Sequence, residues 1–410
     1  MKGLAAGCLA SWLAGVAAAA PAELWVGAWG FPPSPVPLPV TQQVSTQHYT
    51  PPAPLDNRTI RQVLRLATAA KELRLRVSNE FGVQALLLGE VHVALAADDG
   101  AIVEGSDHAV TFAGSRSATV PAGAPLLSDP IDWNLPTLTK LAVSVFVPEH
   151  VPSSGHLMSS YVSEPGDSTT ATRLPGAQAV RFSALLSSVE VLSPTACQVV
   201  ITLGDSITEG FGSSSNAFKG WSDLLADRLN NNTATRSWSV VNAGINSNRL
   251  LHNNPGMSAL ARFDRDVLAV PGVHAVVLME GINDIGYSQM RPDESETAEQ
   301  IIAAYQQLIA RAHEHGLLII GATLTPFRAS HYYDEGGERM RQSVNAWIRT
   351  KHAFDAVLDF DAVMRDASDA SSVAADLHHG DHLHPNDAGY SKMADSIDLK
   401  TFQSQRCSRH

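Results

Sequence analysis

Cysteine and basic residues are scarce in this chain, and long apolar runs are confined to its first residues. Each scarcity excludes something. Lys and Arg number 29 against 41 Asp and Glu, a net charge of −12, and the basic residues form no cluster. Binding a phosphate backbone requires a basic face, so nucleic acid is not an expected partner. Beyond the first residues no run approaches the roughly 18 to 20 apolar residues of a membrane span. What the chain has in quantity is apolar content, 44 % over 410 residues. That is enough to fill two cores and excludes a disordered chain.

The exceptional apolar run is "MKGLAAGCLASWLAGVAAAAPAE", with Lys2 before it and small residues at Ala18, Ala20 and Ala22. This is the pattern of a signal peptide over residues 1–22, which implies a secreted or periplasmic protein; a buried N-terminal helix or membrane anchor is the alternative. Cys8 has too few residues before it to end a lipoprotein leader. Cleavage after Ala20 or Ala22 leaves Cys197 and Cys407, which can form one disulfide in an oxidising compartment or remain thiols.

Residues 23–193 read as short strands at regular spacing, among them "KELRLRVSNEFG", "LLLGEVHVAL" and "TKLAVSVFVPEH". The alternation predicts a β-sandwich or jelly-roll-like domain. The proline-rich "FPPSPVPLPV" cannot pair as a central strand and is expected to lie extended on the surface. Trp25, Trp29 and Trp133 are candidates for a sugar-stacking platform or for core.

From Pro194 to the C-terminus the texture changes. "QVVITLGDS", "WSVVNAG", "VHAVVLMEG", "LLIIGATLTP" and "AVLDFDA" are apolar runs of strand length. Between them, Trp221, Leu225 and Leu229, and then Ile301, Tyr305 and Leu308, recur at helical spacing. Strands alternating with helices predict a parallel, doubly wound sheet whose ligand site lies beyond the carboxyl ends of the strands. No internal repeat is visible.

Four loaded segments fall at those ends: Gly204, Asp205 and Ser206; "NAGINSN" at 242–248; "GIND" at 281–284; and "DHLHP" at 381–385. Ser206 as a nucleophile needs a base, and His384 oriented by Asp381 three residues earlier supplies one. The Asn283 side chain and turn amides are suitable donors for a developing oxyanion. Taken singly, a Ser after Gly-Asp is a turn or cap. In this order at successive strand ends, the four point to acyl transfer. No cofactor is expected. The run "LHHGDHLH" brings His378, His379 and His382 beside His384, but it lacks the ligand spacing of a zinc enzyme and already contains the candidate acid–base pair. "HYYDEGGERMR" at 331–341 could wall the site.

These residues resemble a GDSL-type esterase of the SGNH hydrolase superfamily. "GDSITEG" is similar to the family's first block, "GIND" to its third and "DHLHP" to its fifth, and the likeness continues through "GATLTPF" and "DFDAVMRD". The resemblance implies a flavodoxin-like three-layer α/β domain over 194–410, preceded by the β domain of one secreted branch of the family. It also implies Ser206, His384 and Asp381 as catalytic residues. The oxyanion donors are then Ser206, Ser247 and Asn283, with the substrate a small ester or acylated polysaccharide. A lipase, lysophospholipase or acyltransferase would share the same triad, and a degenerate hydrolase could survive as a glycan-binding protein. One position departs from the pattern: Ser247 stands where the family's second block carries glycine.

Overall fold

The computed structural model describes residues 24–35, 55–149, 159–181, 185–253, 255–288 and 290–403. The expected leader, most of the proline-rich segment and Cys407 with its pairing to Cys197 lie outside these residues.

Among the described residues the N-terminal strands form three antiparallel sheets, of five, six and two strands. In the first, Leu186–Leu192 lies between Trp25–Gly30 and Ala70–Ser78. In the second, Arg58–Arg65 lies between Lys140–Val147 and Ser159–Pro165. Leu73, Leu75 and Val77 from one sheet and Leu141, Val143 and Val145 from the other are fully or almost fully buried in one cluster. That is a sandwich core, as the alternation predicts.

The second half is a five-stranded sheet, parallel throughout. Its spatial order is Trp238–Gly244, Gln198–Gly204, Val273–Met279, Leu318–Ala322 and Ala356–Leu358. In chain order this is 2-1-3-4-5, the flavodoxin-like arrangement, with its switch point between the first and third strands. Every residue of Gln198–Gly204 is buried. Period-two geometry sends Val199, Ile201 and Leu203 to one face and Val200 to the other. The first face packs on Ile301, Tyr305 and Leu308 of helix Ala298–Glu314 and on Val344 and Ile348 of Glu335–Thr350. The second packs on Trp221, Leu225 and Leu229 of Trp221–Asn230 and on Tyr390 and Met393 of Asp387–Asp395.

The two halves share one core. Val26, Val189, Val199, Val241 and Val276 belong to the same buried cluster. At Gly27 and Gly30 the backbone of strand Trp25–Gly30 lies directly against the Val241 side chain of strand Trp238–Gly244. A Cβ at Gly27 would come within 2.9 Å of Val241, and one at Gly30 within 2.5 Å. The amide of Gly27 donates to the Pro271 carbonyl at 2.9 Å and the Ser239 hydroxyl to the Gly27 carbonyl at 2.7 Å. Arg65 reaches Asp227 at 2.9 Å. A chain beginning at Pro194 would therefore expose Val199 and Val241 to water, and is expected to be insoluble or unfolded by circular dichroism. A soluble, cooperatively melting truncation would show that the hydrolase half needs no cover.

Candidate active site

The short stretch from Gly204 to Gly210 builds the first wall of the site, and each residue type has a local reason. A Cβ at Gly204 would sit 2.3 Å from the Met279 carbonyl, so only glycine lets the first strand close on the third. Asp205 caps the helix Ser206–Glu209 by accepting the Ile207 amide at 2.9 Å. Ser206 is the first helical residue, so its amide has no acceptor within the helix. Gly210 ends the turn in the left-handed region at φ 101°.

At the other end of the chain, residues 378–385 fold back on themselves. The His379 amide donates to the His384 carbonyl at 3.1 Å. Asp381 Oδ1 accepts the amides of Leu383 and His384 at 3.0 and 2.9 Å. That grip leaves Asp381 Oδ2 to face His384 Nδ1 at 2.5 Å, while His384 Nε2 lies 2.7 Å from Ser206 Oγ. Pro385 immediately precedes Asn386, the cap of the last helix. Burial raises the Asp381 carboxyl, but the hydrogen bond and charge of His384, with the two amides, outweigh it and hold it well below the usual carboxylate range. The Tyr390 hydroxyl donates to the Phe211 carbonyl at 2.6 Å, tying the last helix to the serine's loop. The Phe211 ring packs on His384 at 4.6 Å between centroids.

Ser247 and Asn283 follow the ends of the second and third strands. Ile245 to Asn248 form a turn closed by the Asn248 amide and the Ile245 carbonyl at 3.0 Å, and its third residue, Ser247, has φ 57°. A turn with positive φ at that position favours glycine, which is why serine there costs backbone energy. The Ser247 hydroxyl donates to Asn246 Oδ1 at 3.0 Å. Asn283 Nδ2 donates to the Asn248 carbonyl at 2.8 Å, which uses one of its two N–H groups. Asp284 accepts the amides of Leu250 and Leu251 at 2.8 and 3.0 Å. Two adjacent side chains of the "GIND" segment thus hold the end of the "NAGINSN" loop and the two leucines that follow Arg249.

Ser206, His384 and Asp381 are joined in one hydrogen-bonded chain at the carboxyl ends of parallel strands, with Ser247 in the turn after the second strand and Asn283 in the helix Ile282–Tyr287 after the third. Residues 202–392 match the model of the GDSL-like lipase/acylhydrolase family. The enzyme is a carboxylic ester hydrolase. It is similar to a solved G-D-S-L lipolytic protein from Veillonella parvula, with 20 % identity over 51 % of this chain and 100 % of that one at a TM-score of 0.39. It is also similar to an acetyl xylan esterase variant from Geobacillus stearothermophilus, with 22 % identity over 52 % of this chain and 98 % of that one at a TM-score of 0.40. Among curated proteins no match is found.

Behind the hydrolase site lies a buried charge network with no local signature in the sequence. Arg262 is fully buried and donates to the carbonyls of Gly204 and Ala243 and to Asn248 Oδ1, at 3.0, 2.7 and 2.9 Å. Glu280, Asp205 and Asp284 are buried around it. Burial pushes Asp205 up to about 7, with Asp284 adding to it against the Ile207 amide and Arg262. Burial pushes Asp284 up to about 6 against the amides of Leu250 and Leu251. Glu280 is raised too, by burial and then by Asp205.

Unfolded, the two aspartates titrate near 4, so the folded state holds extra protons between there and about 7. Their contribution to stability is full below about pH 4 and is lost as pH rises through 6 to 7. In Asp205→Asn the amide oxygen still caps the helix but cannot ionise. The melting temperature of this variant relative to wild type is expected to rise from pH 5 to pH 8. An unchanged difference across that range would mean that Asp205 ionises normally.

The tryptophans take three separate roles. Trp25 lies under the Arg74 guanidinium at 4.3 Å, and Trp133 packs on His108 at 4.2 Å. Trp29 lines a cavity of about 170 Å³ with Phe31, Gly210 and Phe211, at the seam of the two halves. Of "HYYDEGGERMR", Tyr332 is buried beside Tyr287, and residues from Glu335 onward are helix. No helix among the described residues is long and apolar enough to cross a membrane.

Proposed function

We propose that the enzyme hydrolyses short-chain acyl esters by a double displacement on Ser206. The observation that carries this reading is the unbroken chain from Ser206 Oγ through the His384 ring to Asp381 Oδ2, at 2.7 and 2.5 Å. Ser206 donates its proton to His384 Nε2 as Oγ attacks the ester carbonyl, and Asp381 steadies the imidazolium. The carbonyl oxygen, now negative, is met by the amides of Ser206 and Ser247 and the second N–H of Asn283. His384 returns the proton to the departing alcohol, and water releases the acyl group by the same steps in reverse roles.

Two features support small acyl groups and saccharide alcohols. A Cβ and hydroxyl at Ser247 fill space that glycine would leave open on the oxyanion side. The seam cavity with Trp29 and Phe31 lies against Phe211, which itself touches His384, and supports an alcohol side extending toward the β domain. The reading includes export through the leader at 1–22 to a secreted or periplasmic location, the β domain over 23–193, and pairing of Cys197 with Cys407.

Hydrolysis of p-nitrophenyl acetate, butyrate and octanoate tests the acyl preference, with acetate expected to give the highest kcat/KM. Ser247→Gly should widen it, raising octanoate relative to acetate, because the backbone amide stays and only the side chain leaves. A variant with the wild-type ratio would show that Ser247 does not border the acyl group. A wild type that favours octanoate would turn the reading toward a lipase.

A further inference from the structure

We propose that His379, Asp381 and His384 form a binding site for a zinc-class divalent cation, and that its occupancy switches hydrolysis off. The binding claim stands on geometry alone; the inhibition claim rests on the reading of Ser206, His384 and Asp381 given above. One donor atom from each of the three side chains lies within 4.8 Å of the others. Asp381 Oδ2 is shared: it lies 3.3 Å from His379 Nε2 and 2.5 Å from His384 Nδ1. The two imidazoles are nearly parallel, 19° apart, with centroids 5.8 Å from each other.

Tetrahedral zinc with bonds of about 2.0 to 2.2 Å sets its ligands roughly 3.3 to 3.5 Å apart. The pair His379 and Asp381 already has that spacing, while Asp381 and His384 must open by about 0.8 Å to accept the ion. Two imidazoles and one carboxylate suit zinc and copper better than magnesium or calcium. His379 is not a loose surface side chain. Its ring packs on Phe211 at 5.3 Å, and a Cβ at Gly212 would lie 2.6 Å from its Cδ2. The side chains of His379 and Asp381 are 26 % and 30 % exposed, so the ion has a path from solvent and water can complete its shell.

The consequence for catalysis follows from the tautomer. For Nε2 to accept the Ser206 proton, neutral His384 must carry its own proton on Nδ1, toward Asp381. A metal on Nδ1 binds the lone pair freed when the ring proton leaves that nitrogen for Nε2. Nε2 then donates toward Ser206 Oγ, and the serine has no base. No atom is lost in the exchange, so removing the ion restores the enzyme.

The test is calorimetric titration of zinc chloride into Ser206→Ala protein, whose three ligands are intact, beside the same protein carrying His379→Gln. One ion per chain is expected in the first, with affinity reduced by about tenfold or more in the second. In wild type, p-nitrophenyl acetate hydrolysis should fall in step with occupancy and return with chelator, while magnesium has no effect. Equal affinity after His379→Gln, or binding that saturates without inhibition, would overturn the proposal. Loss of the ion on His378→Gln alone would place it on the neighbouring pair His378 and His382, whose rings are 4.4 Å apart, and would also overturn it. Because binding is read by heat, an enzyme inactive on every ester would still decide the site while refuting the function.

Discussion

Replacing Ser206 by alanine is expected to lower kcat for p-nitrophenyl acetate by about 10⁶-fold, the scale on which a triad nucleophile is missed when its partners remain. The fold should survive the change. Ser206 occupies the first turn of its helix, where alanine is well tolerated, and the cap is made by Asp205 rather than by Ser206 itself. The melting temperature of the variant should therefore stay close to that of wild type. Such a pairing of lost turnover with retained stability separates a chemical role from a structural one. A variant retaining hydrolysis within tenfold of wild type would show that another group attacks the ester. A wild type inactive on all three esters, with Ser206→Ala still holding insoluble xylan, would instead favour a hydrolase that only binds glycan. Asp381→Asn should cost about 10⁴-fold, less than the serine, because the imidazole keeps its place but is held in the wrong tautomer.

The parts of this site that could be read from the chain are those whose reason is local. Gly204, Asp205 and Ser206 follow a run of strand residues and carry their own turn chemistry. Asp381 and His384 are three residues apart, so one turn sets their geometry. The alternation of apolar runs with helical stripes announced the parallel sheet, and the sheet then brought both ends of the domain to one rim. In the sequence Ser247 stands out only as a departure from glycine. The structure supplies the reason, a turn that requires positive φ at its third residue.

What the chain hid was long-range. Arg262 sits in an ordinary amphipathic stretch, and nothing near it in sequence marks it as buried. Its partners lie 14 to 58 residues away on three separate segments. The shared core was hidden for the same reason. Nothing in the sequence marks Gly27 and Gly30 as the places where their strand touches the hydrolase half backbone to side chain. His379 was legible as one of four histidines, but its contact with Asp381 depends on the fold-back of residues 378–385.

Arg262→Met is expected to be the most damaging single change to stability, about 3 to 5 kcal/mol, as when one partner of a buried charge pair is removed. Methionine fills much of the volume, so little of the loss comes from a cavity. The cost arises from what the guanidinium leaves behind. The carbonyls of Gly204 and Ala243 lose donors at the ends of the first two strands, and Asn248 Oδ1 loses its hold. Asp266 loses its buried cation at 3.2 Å and keeps Arg265 at 2.6 Å, which limits the damage on that side. Glu280, which faces Arg262 at 3.9 Å, is left with Asp205 and Asp284 as its charged neighbours and must take a proton. Arg262→Lys should recover little, because one ammonium cannot reach three segments that a planar five-donor fork joins. Adding Glu280→Gln to Arg262→Met should restore part of the loss, because the amide is neutral without taking a proton. Urea unfolding measures these differences, and additive effects of the two substitutions would show that Glu280 and Arg262 do not depend on each other. The same variant should lower kcat more than it changes KM, since Asn248 carries both the carbonyl that holds Asn283 and the turn that presents Ser247. An Arg262→Met protein with normal kcat and lowered stability would confine the network to holding the fold.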